Sequence, residues 1–387
     1  LSPEVAITLQ TGNGRIAAGD PLTDGGSIPP SSTLFPVGGS KATATSLPAY
    51  AGSRATTGDF LVVVVSTMPR TPCWQPMGQS LQGRHDDQQL LLGMVWAGHV
   101  PHLRVRRSVD THSELVPVQG HRLSYQLGDD PEQTCIGHTP FRKQQADYHD
   151  CRRRPQPDSR RCRQCAIVEA TFAANLHHAH TRGSAELDPI INQHLDQPNR
   201  LYLAAFRDGS IKVGTSTLSR SERRLEEQGA WQARFVAETP NGRAVRHLED
   251  AVTERLGIPQ AVSAVRKRRG LIKPVPDTVL QTELSDFAAQ VRAIVLEASE
   301  LQATPLDTHW RHPMAEHPAV AQAIEYPLRI THGRHDLECI TAIGRHILAR
   351  RPGGNDVFLI DPAPLYGIWL DLGDYGSDEI AIQDSLF

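Results

Sequence analysis

The chain has 387 residues, of which 39% are hydrophobic, 21% charged and 5% aromatic, and its formal net charge is −3. At roughly 150 residues per domain, this length predicts two or three domains, and the near-neutral charge leaves any argument for a nucleic-acid partner to local clusters. No window approaches about 18 uninterrupted apolar residues, and a basic region followed by an apolar stretch is absent from the start of the sequence. We therefore expect no membrane association and a cytoplasmic location.

The first 89 residues differ in composition from the rest of the chain. Up to about residue 57 they are rich in Gly, Ser, Thr, Pro and Ala, with few apolar residues at regular spacing. This composition predicts a flexible or unassigned extension over residues 1–89. Within it, "DFLVVVVS" (residues 59–66) is typical of one buried strand. Over residues 90–134, apolar and polar residues alternate between Gly, Pro and Asp, which predicts a small β module.

A cysteine-rich zinc segment with a helix is expected over residues 135–198. Zinc takes four soft ligands at tetrahedral corners, and a C-x-x-C turn supplies two of them. A reducing compartment favours metal over disulfide for clustered cysteines. The expected structural zinc ligands are Cys135, Cys151, Cys162 and Cys165. His138 and His149 are close enough in sequence to replace one of them, and a redox pair or four unrelated thiols are the alternatives.

Basic residues surround these cysteines. The stretch "RKQQADYHDCRRRPQPDSRRCR" contains eight Lys or Arg and three Asp. Arg152, Arg153 and Arg154 lie at its centre, and such a patch is suited to phosphate contacts. A solvated loop is the alternative interpretation.

A separate core is expected over residues 199–300. "RLYLAAFRDGSIKVGTS" contains two short apolar runs joined by Asp208-Gly209, which is typical of a β-hairpin. An arginine-rich helix, a strand and a second helix follow. In the second helix Asn241 is a candidate N-cap, apolar residues recur at helical spacing, and Gly257 ends the pattern.

The predicted fold class is α+β, with a small mixed sheet and flanking helices. The zinc-binding segment precedes this core, and small β modules flank it. The second of these modules is expected over residues 301–387, where strand-like patterns return after Pro305.

The order of elements in the core resembles the GIY-YIG nuclease superfamily. Leu201–Leu203 ("LYL") stand for the first name motif, and Lys212–Gly214 ("KVG") stand for the second. Arg224 matches the arginine of the first helix, with Arg220 one turn earlier. Glu249 matches the metal-binding glutamate of a later helix. The resemblance implies a GIY-YIG-like sheet.

The same resemblance implies divalent-metal-dependent cleavage of nucleic-acid phosphodiesters, as by an endonuclease. Glu249 would hold Mg²⁺ or Mn²⁺, which polarises the phosphate. Arg224, helped by Arg220, would clamp two phosphate oxygens. Tyr202 and Lys212 would handle the proton of the attacking water and contact the phosphate.

The sequence departs from the superfamily pattern at two positions. Lys212 stands where a second tyrosine is usual, and Leu201 replaces the first glycine. Gly214 is retained, and we expect it to allow a sharp backbone turn near the substrate. Two alternatives therefore stay open. One is a non-catalytic, zinc-containing nucleic-acid-binding protein on a degenerate GIY-YIG fold, and the other is an enzyme acting on a small phosphorylated or aminoacylated substrate.

A second resemblance covers about residues 90–378. The segments "TCIGH", "CRQC", "LYLAAFRDGSIKVGTS" and "RLEEQGAWQARFVAETPNGR", with the later "YPL", "IGRHIL" and "DVFLID", are similar to the bacterial domain-of-unknown-function family 2797. In that family a cysteine-rich segment precedes a GIY-YIG-like core, so the resemblance supports the architecture and implies no established activity.

Further basic residues of the core predict contacts to DNA or RNA phosphates. Two lie beside Glu249 in sequence, and three belong to "VRKRRG". They are Arg243, Arg246, Lys267, Arg268 and Arg269. The oligomeric state of the chain cannot be inferred from these patterns.

Overall fold

The computed structural model describes residues 88–108, 111–139, 141–142, 145–146, 148–177 and 179–379. Within them, strands form where apolar and polar residues alternate in the sequence. These residues all belong to one unit of the chain. The strand predicted at residues 59–66, Cys73 and all but the last two residues of the predicted extension lie outside them. None of the described helices combines the length and hydropathy that crossing a membrane requires.

The described residues contain both strands and helices, which confirms the α+β class. The strands are β1 (Gln88–Ala97), β2 (Val100–Arg106), β3 (Glu114–Pro117), β4 (Arg122–Leu127), β5 (Phe141–Arg142), β6 (Gln145–Ala146), β7 (Asn199–Ala205), β8 (Ile211–Thr217), β9 (Gln232–Thr239), β10 (Thr304–Arg311), β11 (Ala323–Glu325), β12 (Gly333–Ile343), β13 (His346–Arg350), β14 (Val357–Ile360) and β15 (Trp369–Leu372). The α-helices are α1 (Arg163–His177), α2 (Pro189–Leu195), α3 (Ser221–Gln228), α4 (Gly242–Leu256), α5 (Ala264–Ile272), α6 (Asp277–Glu297) and α7 (Pro318–Ala321).

The strands of residues 90–134 share one nine-stranded sheet with strands from near the C-terminus. Its order is β11-β14-β13-β12-β4-β15-β1-β2-β3, and only the β11–β14 pair is parallel. β15 lies between β1 and β4, and β12 pairs with β4 from Gly333–Leu127 to Glu338–Arg122. This arrangement differs from the two separate modules expected, because local alternation marks a strand without indicating its partner.

A four-stranded antiparallel sheet in the order β10-β9-β7-β8 forms the core after the cysteine-rich segment. The predicted hairpin joins β7 to β8. The Phe206 N–H donates to the Ser210 carbonyl at 2.9 Å, and Gly209 has a φ of +90°. A positive φ is accessible to glycine at little cost, so the Asp208-Gly209 signal is explained by the turn itself.

Helix α4 forms as its sequence predicts. The Asn241 side chain accepts hydrogen bonds from the backbone N–H groups of Arg243 and Ala244, and Gly257 ends the helix in the left-handed conformation with a φ of +67°. Its apolar face packs with α6 against the four-stranded sheet. Glu249 is also buried on this helix, and the pattern of apolar residues does not predict its burial.

Gly214 lies inside β8 and pairs with Tyr202 across the hairpin. A Cβ atom at Gly214 would be 2.5 Å from the Tyr202 Oη. The prediction of a sharp backbone turn at this glycine is therefore wrong. Gly214 is needed because the tyrosine ring lies directly over its backbone, and any side chain would displace that ring.

We predict that Gly214→Ala lowers the free energy of unfolding by about 1–3 kcal/mol, the usual cost of overpacking a filled core. Denaturant unfolding of the full chain measures this change. Gly128→Ala is the matched control, since a Cβ at Gly128 would have no neighbour within 4 Å. Equal stability of the Gly214→Ala variant and the wild type would contradict the packing argument.

Candidate functional site

Tyr202 lies in the middle of β7 and has 1% of its surface exposed. Leu201 packs into the core shared with α4 and α6, whereas Tyr202 points to the opposite face and packs with Phe235. The Tyr202 Oη accepts a hydrogen bond from Gln228 Nε2 at 2.8 Å. Burial raises the pKa of the Tyr202 phenol, so this group keeps its proton at neutral pH.

Lys212 lies on β8 and is 6% exposed. Its Nζ donates to the Gln260 carbonyl oxygen at 3.0 Å. Burial, together with the charges of Arg224 and Lys267, lowers the pKa of Lys212 to about 7. A large share of Lys212 is therefore the neutral amine at neutral pH, and a neutral amine can accept a proton.

The arginines of α3 surround one carboxylate. The Glu227 side chain is 4% exposed, and it lies 3.0 Å from Arg220, 3.3 Å from Arg223 and 3.8 Å from Arg224. Arg220 therefore contacts Glu227 directly, at the position where α3 begins. Three guanidinium groups thus share one carboxylate, which leaves an excess of positive charge immediately around Glu227.

Glu249 is 3% exposed on α4, and its Oε2 lies 2.5 Å from Arg246 Nη1. The arginine one turn earlier on the helix thus holds the carboxylate in an ion pair. A buried ion pair is costly to break, because the remaining partner would be left charged and unpaired.

Four of the residues expected at the site lie in one cluster. Beyond the effect of burial, the charge of Arg224 lowers the pKa of both Tyr202 and Lys212, and the charge of Glu249 raises both. Arg246 also lowers the pKa of Lys212. These mutual effects require short distances, since charges separated by much water are screened.

Positive charge dominates this cluster. Burial and the charges of Arg220 and Arg246 lower the pKa of the neighbouring His194 to about 4. The carboxylates are Glu227 and Glu249, and the cations are Lys212, Arg220, Arg223, Arg224, Arg246 and Lys267. An excess of cations in a largely buried place favours an anionic ligand.

A cavity of about 160 Å³ opens beside Lys212. Its walls are formed by β8, α3, α5 and the turn between β12 and β13. Arg224 and Lys267 line it from the core, whereas Tyr202 and Glu249 do not line it. The remaining lining residues are Glu227, Gln228, Gly229, Ala261, Val262, Ala264, Leu271, Ile343, Arg345 and His346.

Arg345 and His346 are cavity residues that the sequence did not identify. They lie at the β12–β13 turn, in the nine-stranded sheet, more than 100 residues after Lys212. Burial lowers the pKa of His346 to about 4, so this imidazole is neutral at neutral pH. The only local signal is "GRH" at a hairpin turn, which does not indicate contact with the core.

Two glycines bring the turn and the core together. Gly229 ends α3 and Gly344 precedes Arg345, and a Cβ on Gly344 would lie 2.9 Å from the Gly229 nitrogen. Both have positive φ values, +69° and +59°. The backbones therefore pack in direct contact, which places the turn against the wall of the cavity.

The other predicted nucleic-acid residues are spread over the surface. Arg152, Arg153 and Arg269 are exposed. Arg243 donates to the Arg182 carbonyl and to Asn192, each at 2.8 Å.

Two of the predicted basic residues lie beyond the cavity at Lys212. Arg268 pairs with Glu325 at 2.5 Å. Arg154 lines a second, wider cavity of about 1410 Å³, whose other charged lining residues are Asp130, Glu132, Asp158, Arg160, Arg161, Arg345 and Asp361. Arg345 thus lines both cavities, and the wider one carries acidic and basic groups in equal number.

The four cysteines converge into a candidate metal centre. Their Sγ atoms all lie within 4.8 Å of one another, and all four side chains are buried. The Sγ atoms of Cys151 and Cys162 are 3.8 Å apart. A tetrahedral zinc site with Zn–S bonds of about 2.3 Å has S–S edges of about 3.8 Å, so the group can hold a structural zinc ion.

Neighbouring donors stabilise the sulfur atoms. The Cys162 backbone N–H donates to Cys135 Sγ at 3.1 Å, and His138 Nδ1 lies 3.1 Å from Cys165 Sγ. His138 therefore contacts a sulfur from outside the four-cysteine group and is not needed as a ligand. The His149 ring packs against the His138 ring at a tilt of 45°, with ring centroids 4.8 Å apart. Such contacts orient metal ligands.

A family model described as "Protein of unknown function (DUF2797)" matches residues 128–330. The matched range contains the four cysteines and the core residues of the cluster, and it ends before Arg345 and His346. No curated protein and no solved structure matches the chain.

We predict about one zinc ion per chain, because the four buried thiols form a closed ligand set. The double variant Cys162→Ser with Cys165→Ser should lose this zinc and melt at a lower temperature. Elemental analysis and thermal melting measure the two effects. Cys339→Ala is the control and should keep the zinc, since Cys339 is also a buried thiol but lies in the nine-stranded sheet, outside the four-cysteine group. A full complement of zinc in the double variant would rule out the site.

Proposed function

We propose that this chain, which belongs to the family described as "Protein of unknown function (DUF2797)", is a metal-dependent nuclease-like protein that cleaves DNA or RNA phosphodiesters. The observation that best supports this proposal is that Lys212 is buried, has a pKa of about 7 and lies in one cluster with Arg224 and Glu249. A site that only bound phosphate would be served by permanently charged groups. A lysine near neutrality can also accept a proton.

A GIY-YIG-like core is part of this proposal. The antiparallel order β9-β7-β8 supports it, with α3 between β8 and β9 in the chain and α4 after β9. Tyr202 and Lys212 lie on adjacent strands, and Arg224 and Glu249 lie on the two helices where the superfamily pattern has its arginine and glutamate. These four residues also lie close together, as a shared catalytic site requires.

In the proposed reaction, the neutral Lys212 amine takes a proton from a water molecule. The water oxygen forms a bond to phosphorus while the bond from phosphorus to the leaving oxygen breaks, and the leaving oxygen takes a proton from a solvent water molecule. Arg224 neutralises charge on the phosphoryl oxygens and orients them. Tyr202, which keeps its proton, positions Gln228 and Arg224 around the phosphate.

Among the described residues, the site offers only one carboxylate as a ligand for a divalent cation. Glu249 is the one core carboxylate at the expected ligand position, and Mg²⁺ is commonly bound by one or two carboxylates together with substrate phosphates and water. Glu249 and the substrate would hold the ion, with Arg246 moving aside from its 2.5 Å contact. When bound, the ion would polarise the phosphate.

One observation favours a second candidate, a non-catalytic nucleic-acid-binding protein. Glu249 does not line the cavity, and its carboxylate is already occupied by Arg246. On that interpretation Glu249 orients Arg246, and the cluster binds phosphate without cleaving it. Binding would then need no divalent ion and would persist after removal of the Glu249 charge.

We predict that Glu249→Gln reduces cleavage about 100-fold or more, the usual scale for removing a group that stabilises transition-state charge. The assay uses the full chain with Mg²⁺ or Mn²⁺ and single-stranded, double-stranded and branched DNA and RNA. Glu254→Gln, an exposed glutamate on the same helix, is the matched control and should cleave like the wild type. Equal cleavage by both variants and the wild type would contradict catalysis at Glu249, and no cleavage by any of them would contradict the nuclease proposal.

We also predict a pH dependence set by Lys212. Its pKa is lowered to about 7, so the neutral form declines below that pH and kcat/KM should fall about tenfold per pH unit there. Above pH 7 the profile should level off. Lys212→Met should remove this limb, whereas Lys273→Met, an exposed lysine at the end of α5, should retain it. An unchanged profile in Lys212→Met would exclude Lys212 as the base.

A further inference from the structure

We propose that the cavity at Lys212 binds a terminal phosphate monoester of a nucleic-acid strand, so that the protein acts at strand ends. The inference rests on the proposed function for the class of substrate. It goes further by adding Arg345 and His346 as the residues that hold this terminal phosphate, while Lys212 and Arg224 keep the roles proposed above at the adjacent diester.

The size of the cavity favours a single small group. Its volume of about 160 Å³ is close to that of an engineered cavity of about 150 Å³ that binds one benzene molecule. Apolar residues close part of the wall, among them Val262, Leu271 and Ile343. A cavity of this size can hold one phosphate group.

The charge of the cavity favours a dianion. Lys212, Arg224, Lys267 and Arg345 line it, and Glu227 is the one acidic residue in the described wall. Asp361 lies 2.7 Å from Arg345 and offsets one further charge. With Lys212 protonated, an excess of about two positive charges is left. A phosphate monoester carries a charge of about −1.5 to −2 at pH 7, whereas an internal diester carries one negative charge.

Two buried polar atoms in the cavity residues have no hydrogen-bond partner within the part of the chain that the structure describes. They are His346 Nε2 and Arg345 Nε. His346 is 3% exposed, so water does not readily satisfy it. Buried donors are nearly always paired, and a phosphate oxygen supplies the acceptor that both nitrogens lack.

The test is binding of end-defined oligonucleotides to the full chain in EDTA, where cleavage is stopped. Fluorescence anisotropy compares one sequence with a 5′-phosphate, a 3′-phosphate or hydroxyl groups at both ends, with the label at the opposite end. We expect one phosphorylated end to bind at least tenfold tighter than the hydroxyl form. Inorganic phosphate alone is titrated in a separate arm, and we expect it to compete only weakly.

Two variants and one control assign the preference to the cavity. Arg345→Gln and His346→Gln should each lose the tenfold preference for the phosphorylated end. Arg350→Gln, on the same strand β13 and outside the cavity, should keep it. Thermal melting identifies a variant that has unfolded, and the other variant then decides the result.

Equal affinity for phosphorylated and hydroxyl ends would overturn the inference, and so would a preference that both cavity variants retain. Competition by inorganic phosphate as strong as by the oligonucleotide would overturn the assignment to strand ends. Cleavage of circular single strands without any end preference would leave the proposed nuclease function intact and refute the inference alone. An end preference without any cleavage would support the inference and refute the nuclease function.

Discussion

The backbone contact between Gly229 and Gly344 determines where the two sheets of this protein meet. Trp96 Nε1 donates to the Gly344 carbonyl at 3.0 Å, and His99 pairs with Glu226 of α3 at 2.9 Å. The first of these bonds fixes the Gly344 turn within the nine-stranded sheet, and that sheet thus contacts the C-terminal end of α3 at two points, Gly344 against Gly229 and His99 against Glu226. Because α3 also carries Arg224 and Gln228, the same contacts fix the side chains around the cavity. A bulkier residue at either glycine would separate the sheet from the core and open the cavity wall.

Charge burial gives the site its chemical character. Taking a cation out of water is costly unless a partner compensates it, and here three guanidinium groups share Glu227. Lys212 responds to the same surroundings by losing affinity for its proton. The cluster therefore combines fixed positive charge with one group that titrates near neutrality.

Local features of the sequence predicted local structure well. Asn241 and Gly257 delimit α4, Asp208-Gly209 marks the hairpin, and the four cysteines meet as a group that can hold zinc. These signals arise from residues near one another in the chain. The pairing of β4 with β12 and the approach of Arg345 to the core depend on residues about 130 to 210 positions apart. Alternation and charge do not encode such partners, because many registers satisfy the same local pattern.

Gly214 illustrates a partial success of sequence reasoning. The pattern identified the position as one that requires glycine, and the reason lies in the tyrosine ring above it instead of in a turn. Knowing the cross-strand partner was necessary to see this, since the two residues are 12 positions apart in the chain and directly opposite in the sheet.

The order of strands in the large sheet bears on how the chain folds during synthesis. β4 pairs with β12 on one side and β15 on the other, and both emerge from the ribosome more than 200 residues later. At a translation rate of about 5–20 residues per second, β4 waits roughly 10–40 seconds with both edges open. The β1–β2–β3 meander can form at once, whereas β4, which follows it in the chain, stays exposed to other nascent chains. Chaperones that shield unpaired edges should matter more for this protein than its stability alone would suggest.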